Sequence, residues 1–335
     1  MKKSGYRYDI AMLRLISIIV IVFFHAYGMT YVHFTEEVNK MYSDLYEAFN
    51  QSYLINIAMP LFVVISGYLF GGQLIRNRYQ HIGEVFKAKF KRIMMPFFVF
   101  TFIFMVTTNS LSVKPFYQWT YWHLWFLPML FWCFILVFLF KKILLSRHLF
   151  LNILIVGTLF FIACFDRFIP MILGFHNISL WLCWFVLGVK MCQYEDVLFT
   201  VIKRYHLIWV LLCGYFTLST CFYSEYGTND SISLLTTFLA IVSIAYVFHE
   251  IKWNSIKCLP FLMTLSSYSF GIYIFHNWIE MYMVSTTAKR LLHVDIFASE
   301  HEYVFPVLFS IIAFFLSCLL TKFTLKSKIG RSLIG

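Results

Sequence analysis

Ten stretches of this chain are mainly apolar and close to the roughly 20 residues that a helix needs to cross a bilayer's hydrocarbon core. They run 10–31, 54–72, 93–112, 124–140, 149–165, 169–189, 206–222, 232–248, 260–284 and 303–321. In lipid every backbone N–H and C=O must be bonded inside the protein, and an isolated run of this length meets that demand only as a helix. An all-α polytopic membrane protein of about ten transmembrane helices follows, with both termini on one side. Composition agrees: 61% of residues are hydrophobic, only 13% are charged, and the mean hydropathy is +0.76, well outside the balance of soluble domains. The division between 149–165 and 169–189 rests on Asp166, Arg167 and Pro170, and on a polar turn near His176 and Asn177.

The formal net charge of +11 would raise the question of nucleic acid in a soluble protein. Here loop position explains it without a nucleic-acid partner. With the N-terminus inside, Lys and Arg fall mainly on inner segments, whereas the outer side holds Lys40, Lys114, Arg167, Lys289 and Arg290. That asymmetry is the one expected of cytoplasmic loops. The eight cysteines are scattered through apolar runs without metal-ligand spacing, so neither a disulfide framework nor a metal site is expected. No polar linker or repeat divides residues 1–335, which read as a single membrane domain, and no small-residue cleavage site follows the first run, which is expected to stay as an anchor.

Within that first run stand an arginine and a histidine, Arg14 and His25. Eleven residues make three helical turns plus about 20°, so the two leave one face about 16 Å apart along the axis, and Arg7 joins them if the helix reaches back that far. Ionisable groups inside a membrane helix usually face the protein interior and mark function. The plainer reading is an Arg that snorkels to the interface and a His that bonds a neighbouring helix. With the helix entering from the cytoplasm near Ile10, Arg14 falls in the inner leaflet and His25 in the outer half.

Four other stretches break the apolar pattern. Trp122–Met129, WHLWFLPM, carries His123 and Trp125 at the outer start of the fourth run, either as an aromatic belt or as part of a site. Ser267–Glu280, SYSFGIYIFHNWIE, spaces Tyr273, His276 and Glu280 at i, i+3 and i+7 on one face. His25, His123 and His276 thus share a similar expected depth, and histidine is the side chain best suited to take a proton from a hydroxyl and return it to a leaving group. Lys87–Phe98, KAKFKRIMMPFF, gathers Lys89, Lys91 and Arg92 at the cytoplasmic mouth of the third run. Such clusters attract anionic lipid headgroups or seat a phosphorylated cofactor, for which the arginine fork is well shaped. Met59–Gly72, MPLFVVISGYLFGG, offers small residues for close helix approach or a passage for a slender ligand.

Taken in order, RYDIAMLRLISIIVIVFFHA, MPLFVVISGYLF, KRIMMP, HLWFLPML and SYSFGIYIFH resemble the integral membrane acyltransferase-3 family. The resemblance implies ten helices in a bacterial cytoplasmic membrane and O-acetyltransferase-like transfer of an acyl group, commonly acetyl, from cytoplasmic acyl-CoA to a hydroxyl of an envelope glycan or related acceptor. It makes His25 the catalytic histidine and Arg14 its essential partner, and matches Arg92 to the basic position before the third-run proline. Ser17 stands where the family often has alanine, and Lys91 where a second arginine is frequent. No added hydrolase-like domain is seen, so the acceptor is expected to reach the membrane domain itself. In the resulting scheme acetyl-CoA sets its phosphates on Lys89, Lys91 and Arg92, with Arg14 nearby, and His25 acts as general base. His123, Trp125, Tyr273, His276 and Glu280 surround the acceptor. Two rival classes are an exporter of a glycan or lipid-linked sugar, which would often show inverted repeats, and an envelope glycan polymerase that uses no CoA.

Overall fold

The computed structural model of the chain describes residues 7–33, 54–117, 122–163, 178–224, 230–283 and 304–335. Asp166, Arg167, Pro170, His176 and Asn177, on which the 149–189 division rests, lie outside the described residues, as do Lys40, Lys289 and Arg290. All regular structure among the described residues is helical. The main helices are α1 (Tyr8–His33), α2 (Leu54–Ile75), α3 (Ile82–Lys89), α4 (Met95–Thr107), α5 (Phe126–Leu139), α6 (Leu149–Ala163) and α7 (Ile178–Arg204). They continue with α8 (His206–Ser224), α9 (Asp230–Glu250), α10 (Leu259–Ser267), α11 (Ser269–Met283), α12 (Phe305–Thr324) and α13 (Lys328–Ile334). Five stretches are long and apolar enough to cross a bilayer: Tyr8–Gly28, Ile57–Ile75, Ile82–Thr107, Trp122–Leu139 and Phe305–Thr324. A sixth is formed by Ile178–Arg204 with His206–Tyr215, if that pair, bent by 88°, counts as one span. The chain is a helical, multi-pass membrane protein.

Prolines and short polar turns set the internal punctuation. Pro260 and Pro306 sit in the first turns of α10 and α12, where a missing N–H costs nothing because no carbonyl waits for it. The third span begins at Ile82 rather than at residue 93, because helix continues through the basic cluster as a wide π segment, Phe90–Met94, that joins α3 to α4 immediately before Pro96. A π turn is one way a helix accommodates a residue that breaks the regular ladder. The ninth run is interrupted at Tyr268, so that α10 and α11 are separate helices. The sixth run extends far past residue 189, to Arg204, with non-helical backbone at Tyr194.

Contacts among the residues sort the chain into two compact units, Met1–Met59 with Tyr215–Gly335, and Pro60–Gly214. In the second unit α2 and α7 touch backbone to backbone. A Cβ on Gly67 would overlap the Phe185 carbonyl, one on Gly188 would overlap that of Val64 and lie 2.7 Å from the Tyr68 nitrogen, and one on Gly71 would meet Val189 Cα at 3.0 Å. Met59–Gly72 is therefore a close-packing stretch. Between lipid-soluble helices there is little hydrophobic drive, so small residues that allow such approach carry the association.

Two lysines that the sequence places in inner loops are buried in this unit. Lys190 Nζ donates to the Leu144 carbonyl and to Asn152 Oδ1, and Gln193 Nε2 donates to the Leu145 carbonyl at 2.9 Å. These bonds satisfy carbonyls that end the short turn Lys141–Leu144. Lys89 Nζ sits over the rings of Phe134, at 3.9 Å, and Phe70, at 5.1 Å, a cation–π arrangement that gains strength as water is excluded.

In the first unit α1 packs against α9, α10, α11 and α12. Its first turn carries Asp9, which accepts from Arg7 Nε at 2.9 Å and Nη2 at 2.6 Å and faces His249 Nδ1 at 3.5 Å. Acidic charge is favoured at that end of a helix. Arg7 lies just outside the helix and is spent on Asp9, so it does not extend the Arg14–His25 face.

The glycine contacts yield a direct test. Gly188→Ala is expected to cost about 1–3 kcal/mol or more, because backbone atoms must move to admit the methyl group. Gly157→Ala, at a position on α6 with nothing within 4 Å, is expected to stay within about 1 kcal/mol of wild type. Thermal unfolding of both variants in detergent checks the ordering, and equal midpoints would contradict it.

Candidate functional site

The site is built on α1, α10 and α11 of the first unit. Because α10 stops at Ser267, the Ser266 carbonyl lies in a final helical turn, where carbonyls lack partners within the helix. Arg14 Nη2 donates to that carbonyl at 2.8 Å and to Ser266 Oγ at 3.1 Å. Ser266 Oγ in turn donates to the Ala11 carbonyl at 2.7 Å, and Ser269 Oγ donates to the Ser266 carbonyl at 2.7 Å. A cation at the C-terminal end of a helix also meets the negative pole of its dipole. Arg14 is thus tied to the break in the ninth run.

Eleven residues further along each partner the two elements meet again. Asn277 Nδ2 lies 3.1 Å from His25 Nδ1, and the His25 and His276 rings are 5.1 Å apart, tilted by 53°. His276 Nδ1 is 3.1 Å from the Ile272 carbonyl. A carbonyl only accepts, so that nitrogen carries the proton and His276 presents Nε2 as the lone-pair nitrogen while its ring is neutral. Tyr273 lies beside it, with ring centroids 6.1 Å apart.

Burial differs sharply along this group. His25 and Arg14 are partly exposed, whereas His276 and Glu280 have no exposed surface at all and Tyr273 and Asn277 are almost as deeply buried. Neither carboxylate oxygen of Glu280 and not the Oδ1 of Asn277 finds a hydrogen bond among the described residues. Buried polar atoms in native proteins are nearly always paired, and exceptions call for an explanation such as a ligand. A partly open histidine backed by two buried residues with unused hydrogen-bonding capacity can receive a hydroxyl-bearing molecule, orient it and accept its proton.

The structure therefore brings Arg14, His25, Tyr273, His276 and Glu280 into one unit. The other five expected residues belong to the second unit. Lys91 and Arg92 are exposed on the π segment, while Lys89 beside them is buried against Phe70 and Phe134. His123 is buried on a 3-10 turn, Trp122–Trp125, with its ring 6.4 Å from that of Phe104. Trp125 packs near Trp181, with centroids 5.7 Å apart. Ser266 and Asn277 are the residues that sequence reasoning missed. Asn277 was within reach, since it completes Tyr273, His276 and Glu280 into a full i, i+3, i+4, i+7 polar stripe; nothing in the sequence singles out Ser266 among neighbouring serines.

A comparison with known families gives one match. The profile of the acyltransferase-3 family, described as an acyltransferase domain, matches residues 7–322, nearly the whole chain. No curated protein and no solved structure matches.

The Arg14–Ser266 contact is testable without any substrate. Residues in direct contact couple energetically, so a double-mutant cycle of Arg14→Gln and Ser266→Ala, read by thermal unfolding in lipid, is expected to give a coupling of about 0.5–2 kcal/mol. Strictly additive effects would show that the two do not act as a pair.

Proposed function

The chain belongs to the acyltransferase-3 family, and from that membership we propose that it moves an acyl group, in the first instance acetyl, from cytoplasmic acyl-CoA to a hydroxyl of an envelope glycan or related acceptor. The observation that carries this reading is the meeting of His25 with His276 and Asn277, beside a buried Glu280, in an otherwise apolar helix packing. His25 takes the hydroxyl proton as the acceptor oxygen attacks the thioester carbonyl. The C–S bond breaks, and the protonated imidazole returns the proton to the departing CoA thiolate, leaving the acyl ester, CoA–SH and neutral His25. His276, Glu280 and Tyr273 hold the acceptor. Arg14 keeps α1 in place against α10 and so sets the position of His25.

Lys91 and Arg92 are exposed cations suited to the phosphates of CoA, the arginine through its two-pronged donor geometry. His123 and Trp125 contribute to the acceptor side, where an aromatic face suits the apolar side of a sugar ring. In this reading ten spans make up a single membrane domain in a bacterial cytoplasmic membrane, with both termini inside. The parallel course of α1 and α10–α11 supports that count, since alternating crossings require the first and ninth spans to run the same way.

Acetyl-CoA consumption by the purified protein in lipid tests the proposal. Wild type is expected to turn over acetyl-CoA. His25→Ala should lower the rate by about 100-fold or more, the usual weight of a general base, and Arg92→Glu should raise KM for acetyl-CoA with a smaller effect on kcat. Full activity in His25→Ala would remove the assigned base, and unchanged KM in Arg92→Glu would remove the assigned phosphate seat.

A further inference from the structure

Asn277 is given no step of its own in the acyltransfer scheme, yet it makes a side-chain hydrogen bond to His25 at a ring nitrogen. Asn277 Nδ2 can only donate. As the side chain stands, His25 Nδ1 must therefore accept, which puts the proton of the neutral ring on Nε2. A ring in that form has no lone pair on Nε2 with which to take a proton from a hydroxyl. A half turn of the Asn277 amide about its last side-chain bond exchanges Oδ1 and Nδ2 in the same volume. Oδ1 then accepts from His25 Nδ1–H, and the lone pair appears on Nε2. No hydrogen bond among the described residues holds Oδ1 in its present place, so the turn breaks none on that side.

We propose that Asn277 is a positioning residue that sets which nitrogen of His25 holds the proton, and that the acyl-transfer form is the one in which Asn277 Oδ1 accepts from His25 Nδ1–H. This rests on the reading of His25 as the base. Once His25 has taken the hydroxyl proton, both of its ring nitrogens are donors, and only the Oδ1-facing amide can pair with Nδ1–H. The same orientation therefore serves the base before transfer and the imidazolium after it. A neutral amide does for His25 what an orienting group does for the base in other nucleophile-activating sites: it fixes tautomer and ring direction without taking part in the bond changes.

The test uses the full-length protein in lipid, labelled with 15N-histidine, with the His25 signals assigned as those lost in His25→Ala. Asn277→Asp offers only acceptor atoms and is expected to hold the proton on Nδ1 and to recover at least about a tenth of wild-type kcat. Asn277→Leu, close in volume but without either group, is expected to move the His25 nitrogen signals from their wild-type positions. It should also lower kcat about 10- to 100-fold while KM for acetyl-CoA changes less than about threefold, as expected when transition-state orientation and not donor binding is lost. If Asn277→Leu keeps wild-type kcat, or leaves the His25 signals unmoved, the proposal is overturned while His25→Ala stays inactive. If His25→Ala itself keeps full turnover, the base assignment fails instead, and the two failures are told apart.

Discussion

The carbonyl of Ser266 ends a half-helix among apolar helices, where water is not at hand to bond it, and the conformation of the first unit follows from how it is satisfied. Arg14 and Ser269 both donate to it. Arg14 belongs to α1, so the bond fixes α1 against the point where α10 gives way to α11. His25 stands eleven residues after Arg14, and Asn277 stands eleven after Ser266, so both contacts join residues 252 apart in sequence. Two parallel helical elements that rise 1.5 Å per residue stay in step over that distance. The lower bond thereby carries His25 to Asn277, even though the second element is broken between them.

The second unit meets the same requirement by other means. Its helices approach through Gly67, Gly71 and Gly188, and its buried lysines find partners close by, Lys190 in carbonyl and amide oxygens and Lys89 in two aromatic faces. This changes the reading of the basic cluster. Of three cations grouped in sequence, one is already committed to the packing of the protein, and the two that remain exposed, Lys91 and Arg92, lie on the single π turn of the third span. A phosphate seat on that span rests on those two.

The helical architecture was legible because backbone hydrogen bonding in lipid leaves a long apolar run no other regular form. The pairing of Arg14 with His25 on one face was legible too, since helical period alone dictates it. What the sequence did not show came from partners distant along the chain. Lys190 looks like a loop cation until Leu144 and Asn152, some forty residues earlier, are folded beside it. The wide turn at Phe90–Met94 depends on how α3 and α4 must meet around Pro96, and the break at Tyr268 carries no proline at all. The apposition of His25 with Asn277 depends on a register set elsewhere, by Arg14.

Among the described residues, both carboxylate oxygens of Glu280 and the Oδ1 of Asn277 are buried without a hydrogen bond. Elsewhere a buried hydroxyl bonds a carbonyl one turn back, as those of Ser17, Ser317 and Thr321 do, and the polar atom is closed off locally. An unsatisfied buried polar atom costs about 1–3 kcal/mol, and a carboxyl group costs more if charged. A leucine at position 280 would fill similar space without that cost. Stability given up in this way is characteristic of positions that answer to a ligand instead of to the fold. On α11 Asn277 and Glu280 lie within about one turn of His276, and Asn277 also meets His25 of α1. Arg14 fixes the register at the Ser266 end of this packing, and the buried oxygens of Asn277 and Glu280 without hydrogen bonds gather about eleven residues further along, at the Asn277 end.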